Sequence, residues 1–541
     1  MKKQNFIKGS VILMLSAAAA KLLGAFFKIP LTNMLGGVGM SYFSCAYSLF
    51  MPIYALIVTG ISSSAARMTA RSAATGNITE IKRIRRTALF VFSAAGLAGS
   101  LAVYLLAKPF SIMSSGSRDA QAAVAMIAPS VFFGCVTAVE RGYYEGMSNM
   151  YPTAFSQVIE GIVKAAAGLK LCGYVMENPE TVLRYFPEVT DIRGAAAAAG
   201  IMGVTLSSVG AAVFFALLRP FCKVGANSGK MQVMPVKSIA RELMVTALPI
   251  GVSAVVTNLT ALIDMWTMIS RISPENVHFL PEGINGADVP NFVYGSFAGI
   301  ALTVFNLVPS VTNSLGKGAL TCVTSAYERG DRLSLRNSTV QALIVTAVIA
   351  IPSAAGLGIL SNEVLSVLFS HQSDEVRVCV RSFRLLMPAM VCLCISCPLF
   401  SMLQAVGKAS APLKIMLLGT AVKFLGNILL VPIMGAEGAA VSTSVCYGVI
   451  LIVSLAVYLK ASGIKLSAEP FVKTLYSGAL CGGTAYLTAS IMRVHNAPNT
   501  AVILFTALTG GTVYIASLYA LMGVHRKKGI KSPTNRSSWG S

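Results

Sequence analysis

Apolar residues recur along the chain in fourteen runs, each separated from the next by a short polar stretch: 7–31, 40–64, 87–107, 121–140, 152–176, 194–218, 241–265, 291–315, 337–360, 384–404, 412–432, 438–459, 470–490 and 499–522. A helix needs about 20 apolar residues to cross the hydrocarbon core of a bilayer, and each run has that length. The pattern predicts an all-α, polytopic membrane protein with about fourteen transmembrane helices. Lys2 and Lys3 ahead of an apolar stretch and Ala17–Ala20 give the first run the look of a signal peptide. Apolar residues nevertheless continue past Lys21 to Leu31, so the run reads as an uncleaved first span.

The runs repeat. Gly194-Ala195-Ala196 opens the sixth and Gly438-Ala439-Ala440 the twelfth; Pro152 opens the fifth and Pro412 the eleventh. Thr75-Gly76-Asn77 follows the second run and Arg329-Gly330-Asp331 the eighth, each beside a basic stretch. The shared order predicts two six-span lobes, 1–225 and 226–462, related by a parallel pseudo-two-fold axis, with 463–541 adding spans thirteen and fourteen and a basic tail. Transporters built this way hold their substrate between the halves.

Composition narrows the class. Of 541 residues 55% are hydrophobic and 12% charged, about half the charge that a water-facing surface carries. A soluble enzyme, a disordered chain and a secreted disulfide scaffold are excluded. The eleven cysteines lie mostly within apolar runs, and Cys392, Cys394 and Cys397 lack the partners that would complete a zinc site; no metal or other cofactor is expected.

The net charge of +22 sits in loops, so it points to membrane topology and not to nucleic acid. With the N-terminus inside, the inner segments collect Lys2, Lys3 and Lys8, then Arg67, Arg71, Lys82, Arg83, Arg85 and Arg86, and later Lys223, Lys230, Lys317, Arg329, Lys408, Lys414, Lys460 and the basic tail. The outer loops hold Lys108, Arg118, Arg184, Arg193, Arg271, Arg377, Arg381 and Arg493. The chain is thus expected to be multi-pass with both termini cytoplasmic.

Charges left inside the runs carry the candidate chemistry, because each costs roughly 2.5–3.5 kcal/mol at mid-membrane unless it is paired, snorkels or faces a cavity. Lys170, Lys473 and Arg384 lie near run ends, where snorkelling explains them, as do Glu140 and Asp264 by position. Lys21, Glu160, Lys164 and Lys423 are deeper. Lys21 and Lys28 are seven apart and share a helix face. Glu160 and Lys164, four apart, fit either an intrahelical ion pair or a cavity lining. Lys423 follows Pro412 at nearly the depth at which Lys164 follows Pro152. Arg67 closes a stretch of small residues, Gly60-Ile61-Ser62-Ser63-Ser64-Ala65-Ala66. The candidate binding residues are therefore Lys21, Lys28, Arg67, Glu160, Lys164 and Lys423. Fixed cations of this kind suit an anionic headgroup, with Arg able to grip a phosphate bidentately. The sequence shows no Walker A tract, nucleophile elbow or zincin motif, and all four histidines fall in loops or at a run edge.

Lys21-Leu22-Leu23-Gly24, Ile29-Pro30-Leu31, Leu35-Gly36, Thr59-Gly60-Ile61 with Ala65-Ala66-Arg67, Gln157-Val158-Ile159-Glu160 and Gly435-Ala436-Glu437-Gly438-Ala439-Ala440 resemble the stage V sporulation protein B family. That family lies in the polysaccharide-exporter branch of the multidrug/oligosaccharidyl-lipid/polysaccharide (MOP) flippase superfamily. The likeness covers roughly 7–522. Gly60-Ile61-Ser62 departs from the family's usual Gly-Ile-Pro, and Ala66-Arg67 from its Ser-Lys. The resemblance implies a MATE-like fold of fourteen spans in two lobes, working by alternating access. It also implies a bacterial cell-membrane flippase that moves an undecaprenyl-pyrophosphate-linked sugar, such as the peptidoglycan precursor lipid II, from inner to outer leaflet for spore cortex synthesis. Its partners would be that lipid-linked oligosaccharide, membrane lipids and cell-wall synthesis proteins. The alternatives are a cation-coupled multidrug exporter of the same superfamily, a non-transporting scaffold of a wall-synthesis complex, and a membrane-embedded transferase.

Overall fold

A computed structural model of the chain describes residues 6–185, 191–220, 234–408 and 410–528. Within them the regular elements are helices, and every one of the fourteen apolar runs falls on helix. The boundary expected near 225, Lys223 and Lys230, and Lys531 and Arg536 of the tail lie outside the described residues.

The first two runs form one long element, α1 (Phe6–Tyr54), broken into two legs at Gly36. Gly36 has φ 65° and ψ −174°, a conformation that a Cβ would oppose. The second leg passes through a π-helical turn, Ala55–Thr59, into α2 (Gly60–Ala74), well beyond the expected end at 64. There follow α3 (Ile78–Ser115), α4 (Ala120–Ile127), α5 (Pro129–Gly146), α6 (Tyr151–Glu177), the short α7 (Pro179–Tyr185) and α8 (Ile192–Leu218).

The second group begins with α9 (Val236–Arg271). The eighth run is not one straight helix: α10 (Val289–Ser296), a π-helical turn at Phe297–Ala301 and α11 (Leu302–Phe305) lead into α12 (Leu307–Glu328), with a 41° bend between them. Pro309 has no N–H to offer the Phe305 carbonyl, which breaks the helix there. Then come α13 (Arg332–Ile359), the short α14 (Ser361–Leu368), the amphipathic α15 (Ser373–Leu385), α16 (Met387–Ala405), α17 (Ala411–Met434) and α18 (Ala436–Ser462). The last pair, α19 (Glu469–Val494) and α20 (Asn499–Lys528), packs together and lies against α13 and α14, anchored by Arg493 Nε on Glu363 Oε1 at 2.7 Å. By length and composition ten helices among the described residues can cross a membrane, or eleven if the bent pair is one span.

The tracts paired in the sequence share local geometry. The second and eighth runs each carry a π-helical turn. The tracts that follow them build the same device: a glycine at positive φ, Gly76 or Gly330, then an N-cap, Asn77 accepting from the Glu80 N–H and Asp331 accepting from those of Leu333 and Ser334. The Ser334 hydroxyl also donates to Asp331 and holds its carboxyl below the usual carboxylate range.

The two groups of helices touch where side chains are absent. A Cβ on Gly60 would collide with the Ala247 carbonyl, and one on Gly251 with the Leu56 carbonyl, so α9 and the end of the second leg meet backbone to backbone. Nearer the Gly36 end the Gly37 carbonyl fills the space beside Gly295 of α10. At the opposite end Arg71 reaches Glu242 at 3.4 Å.

Candidate functional site

The first leg of α1 offers one polar face to this seam. Lys21, Gly24 and Lys28 lie three and four residues apart, on one side of the helix. Across from them stands α6, started by Pro152 in its first turn, with Gln157, Glu160 and Lys164 facing α1 and α5. Ser16 Oγ donates to Gln157 Oε1 at 3.2 Å. The Lys164 ammonium lies beside Gly24 and 5.6 Å from the Phe27 ring centroid, within cation–π range.

Glu160 is committed elsewhere. Its Oε2 accepts from Arg141 Nη2 of α5 at 2.7 Å, and Arg141 Nε donates to Ser156 Oγ at 2.9 Å. Of the two readings of Glu160 and Lys164 open in the sequence, the closest carboxylate contact goes to a third residue. Arg141 lies one residue beyond the apolar run that ends at 140. The helix instead continues to Gly146 with Tyr143 and Tyr144 buried. The adjacent Glu140-Arg141 at the end of a run was the available signal: Glu140 pairs with Arg85 at 2.6 Å and Arg141 with Glu160.

Lys28 crosses the seam. Its Nζ donates to the Ala298 carbonyl at 2.9 Å, and Thr32 Oγ1 reaches the Gly299 carbonyl at 3.4 Å. Both acceptors sit in the π-helical turn Phe297–Ala301, where the ordinary helical bonding pattern is interrupted and backbone oxygens are accessible. Lys21 is exposed and lies within electrostatic reach of Cys397 on α16, so it too looks toward the second group of helices. Glu160 has Arg141 and Lys164 as its cationic neighbours, and with Lys21 and Lys28 on the first leg of α1 the cations outnumber the carboxylates.

Lys423 and Arg67 are not part of this cluster. Lys423 Nζ lies 2.7 Å from Asp264 Oδ2 in the interior of the second group, both side chains 4% exposed. Asn427 Nδ2 bridges Asp264 Oδ1 at 3.0 Å and Thr267 Oγ1 at 2.8 Å. Asp264, assigned by position to a span end, is thus the buried partner of Lys423, and α9 and α17 are held together by the pair. By helical rise Lys28 and Lys21 stand about 12 and 22 Å from the Gly36 break, and Arg67 about 45 Å along the other leg. Arg67 is exposed among Arg71, Lys82 and Arg83 at the far end.

Comparison with known proteins adds to this geometry. The family model described as "Polysaccharide biosynthesis protein" matches residues 6–320, and the one described as "Lipid II flippase MurJ" matches 301–506. The chain is 23% identical over 492 residues to stage V sporulation protein B of Bacillus subtilis (strain 168), covering 89% of each. It is 20% identical over 471 residues to lipid II flippase MurJ of the same organism, covering 82% of this chain and 80% of the relative. Among solved structures, lipid II flippase MurJ in an inward closed conformation superposes with a TM-score of 0.68 at 15% identity, covering 96% of this chain and 100% of that one. An inward-facing MATE-family multidrug resistance transporter of the MOP superfamily gives 0.61 at 13% identity, covering 84% and 98%.

Proposed function

The chain belongs to the polysaccharide biosynthesis protein family, within the MOP flippase superfamily, and from that premise we propose that it translocates an undecaprenyl-pyrophosphate-linked sugar, lipid II in spore cortex synthesis, from the inner to the outer leaflet. It is a multi-pass membrane protein and a transporter of the lipid-linked flippase type, not an enzyme. Both termini face the cytoplasm, which puts the Arg71 end inside and the Gly36 end outside.

One observation carries the substrate class: Lys28 is bonded across the seam between the two groups of helices, with Lys21 on the same side of its helix and Lys164 beside Gly24 and Phe27 of that leg. Fixed ammonium groups stabilise a diphosphate where few counter-charges compete. A ligand there would displace the Ala298 carbonyl from Lys28, so binding and loosening of the seam would be one event. A two-state transporter needs a ligand with that differential interaction. Arg67, with the basic residues near it, would meet the headgroup as it arrives from the inner leaflet. Glu160 would position Arg141, and Lys423 would hold the second lobe together. The undecaprenyl chain would stay in the bilayer beside α19 and α20.

Headgroup translocation in proteoliposomes of purified protein and labelled lipid II tests the reading, with Lys21→Ala and Lys28→Ala alongside. Transport by the wild type and its loss in both folded variants is the expected result. Full activity in both variants would remove the site, and neither binding nor transport of lipid II by the wild type would remove the substrate.

A further inference from the structure

The second group of helices contains a cationic crevice that translocation does not use. It has a volume of about 850 Å3 and lies between the start of α17, the end of α18 and the end of α12. Counting the helices up and down from the Arg71–Glu242 contact places it at the Arg71 end. Lys408, Lys414 and Lys460 line one part of it, with Tyr327 beside them. No carboxylate lines it, and none of the three lysines has an ion-pair partner among the described residues. Apart from Ser410, its remaining wall is apolar and includes Leu418 and Val457. On α17 this wall runs on into an exposed strip of Leu425, Leu429 and Ile433, the surface that faces acyl chains.

We propose that this crevice binds an anionic membrane phospholipid, its phosphate among the three lysines and the first part of its chains along Leu418 and Val457. The two kinds of lining argue for an amphiphile. Lysines alone would take any phosphate, and an apolar groove alone would take any chain. Their juxtaposition where helices meet the polar boundary matches the polarity profile of a lipid molecule. The crevice lies within the second group of helices, away from the Lys21, Lys28 and Lys164 cluster, so lipid bound here would brace α17 against α18 without entering the seam.

The test is native mass spectrometry of the full-length protein, delipidated in detergent and offered an equal mixture of phosphatidylglycerol and phosphatidylcholine with identical chains. Wild type is expected to retain phosphatidylglycerol in preference by about tenfold or more, since each lysine near a phosphate contributes about a factor of five. Lys408→Gln, Lys414→Gln and Lys460→Gln combined should bring the ratio close to one, while the three Arg replacements keep it. The single variants Lys414→Gln and Lys460→Gln should each lower the ratio, and they serve if the triple variant does not fold. An unchanged preference in the triple Gln variant would overturn the proposal, as would no preference in the wild type. So would its loss in Lys21→Gln, which would place the lipid at the seam. Soluble glycerol phosphate binding as tightly as the lipid would overturn it as well, leaving a bare phosphate site.

Discussion

The Lys28 ammonium lies 2.9 Å from the carbonyl oxygen of Ala298, 270 residues away in sequence. It joins the first leg of α1 to the π-helical turn between α10 and α11, and so joins the two groups of helices through a charge and a backbone dipole. A carbonyl is a weaker acceptor for an ammonium than a diphosphate oxygen, so on the proposed reading an anionic ligand would displace it.

Replacing Lys28 by Met keeps the length of the side chain and removes the charge. A hydrogen bond from a charged group contributes about 1.5–3 kcal/mol, so headgroup affinity is expected to fall about tenfold or more. Thermal unfolding should change less, because the Ala298 carbonyl keeps the Thr303 hydroxyl as a donor. Binding of a labelled diphosphate lipid, measured beside the unfolding temperature, separates the two effects.

Arg141 and Glu160 form an ion pair whose side chains are 15% and 24% exposed. Either single replacement, Arg141→Met or Glu160→Gln, leaves a charge in apolar surroundings and is expected to cost roughly 2–4 kcal/mol. The double variant should recover part of that loss. A double-mutant cycle on unfolding in detergent measures the coupling, and simple additivity would mean that the pair contributes nothing.

For Lys423 and Asp264 the same logic separates stability from binding. Lys423→Met alone strands the Asp264 carboxylate and should cost roughly 3–5 kcal/mol, whereas Lys423→Met with Asp264→Leu should fold nearly as well as the wild type. If Lys423 acts only by holding α9 and α17 together, the double variant also transports. A stable double variant that fails to transport would return Lys423 to the substrate site.

Gly251→Leu places a side chain where the Leu56 carbonyl now lies. The backbone contact between α9 and the second leg then cannot form, and the seam is held apart on that side. Transport is expected to stop while the protein stays folded, and a cysteine substituted at Leu56 should become more reactive to a soluble thiol reagent. Unchanged reactivity and transport would show that this contact is not part of the working cycle.

The sequence carried a good deal of the candidate site. Lys21 and Lys28 share a face because seven residues make two helical turns, and that relation survives any tertiary arrangement. Lys164 of α6 lies beside Gly24 and Phe27 of the same leg, which spacing along α6 could not reveal. Arg141 was overlooked because the apolar run stops one residue before it, while burial of the helix continues to Gly146. Asp264 was assigned to a span end by position, yet Lys423, 159 residues later, lies 2.7 Å from it.

By itself the sequence determined the all-helical, membrane-spanning class and the order of the apolar runs. Apolar run length is set by bilayer thickness, and the caps at Asn77 and Asp331 and the break at Gly36 are local chemistry. Tertiary structure alone decided which partner each buried charge meets. Insertion requires only that each charge be compensated, and sequence does not say by whom. Lys423 met a carboxylate, Glu160 met Arg141, and Lys28 met a carbonyl that a π-helical turn leaves accessible. The partner in each case comes from a helix distant in sequence, brought within hydrogen-bond reach only when the bundle packs.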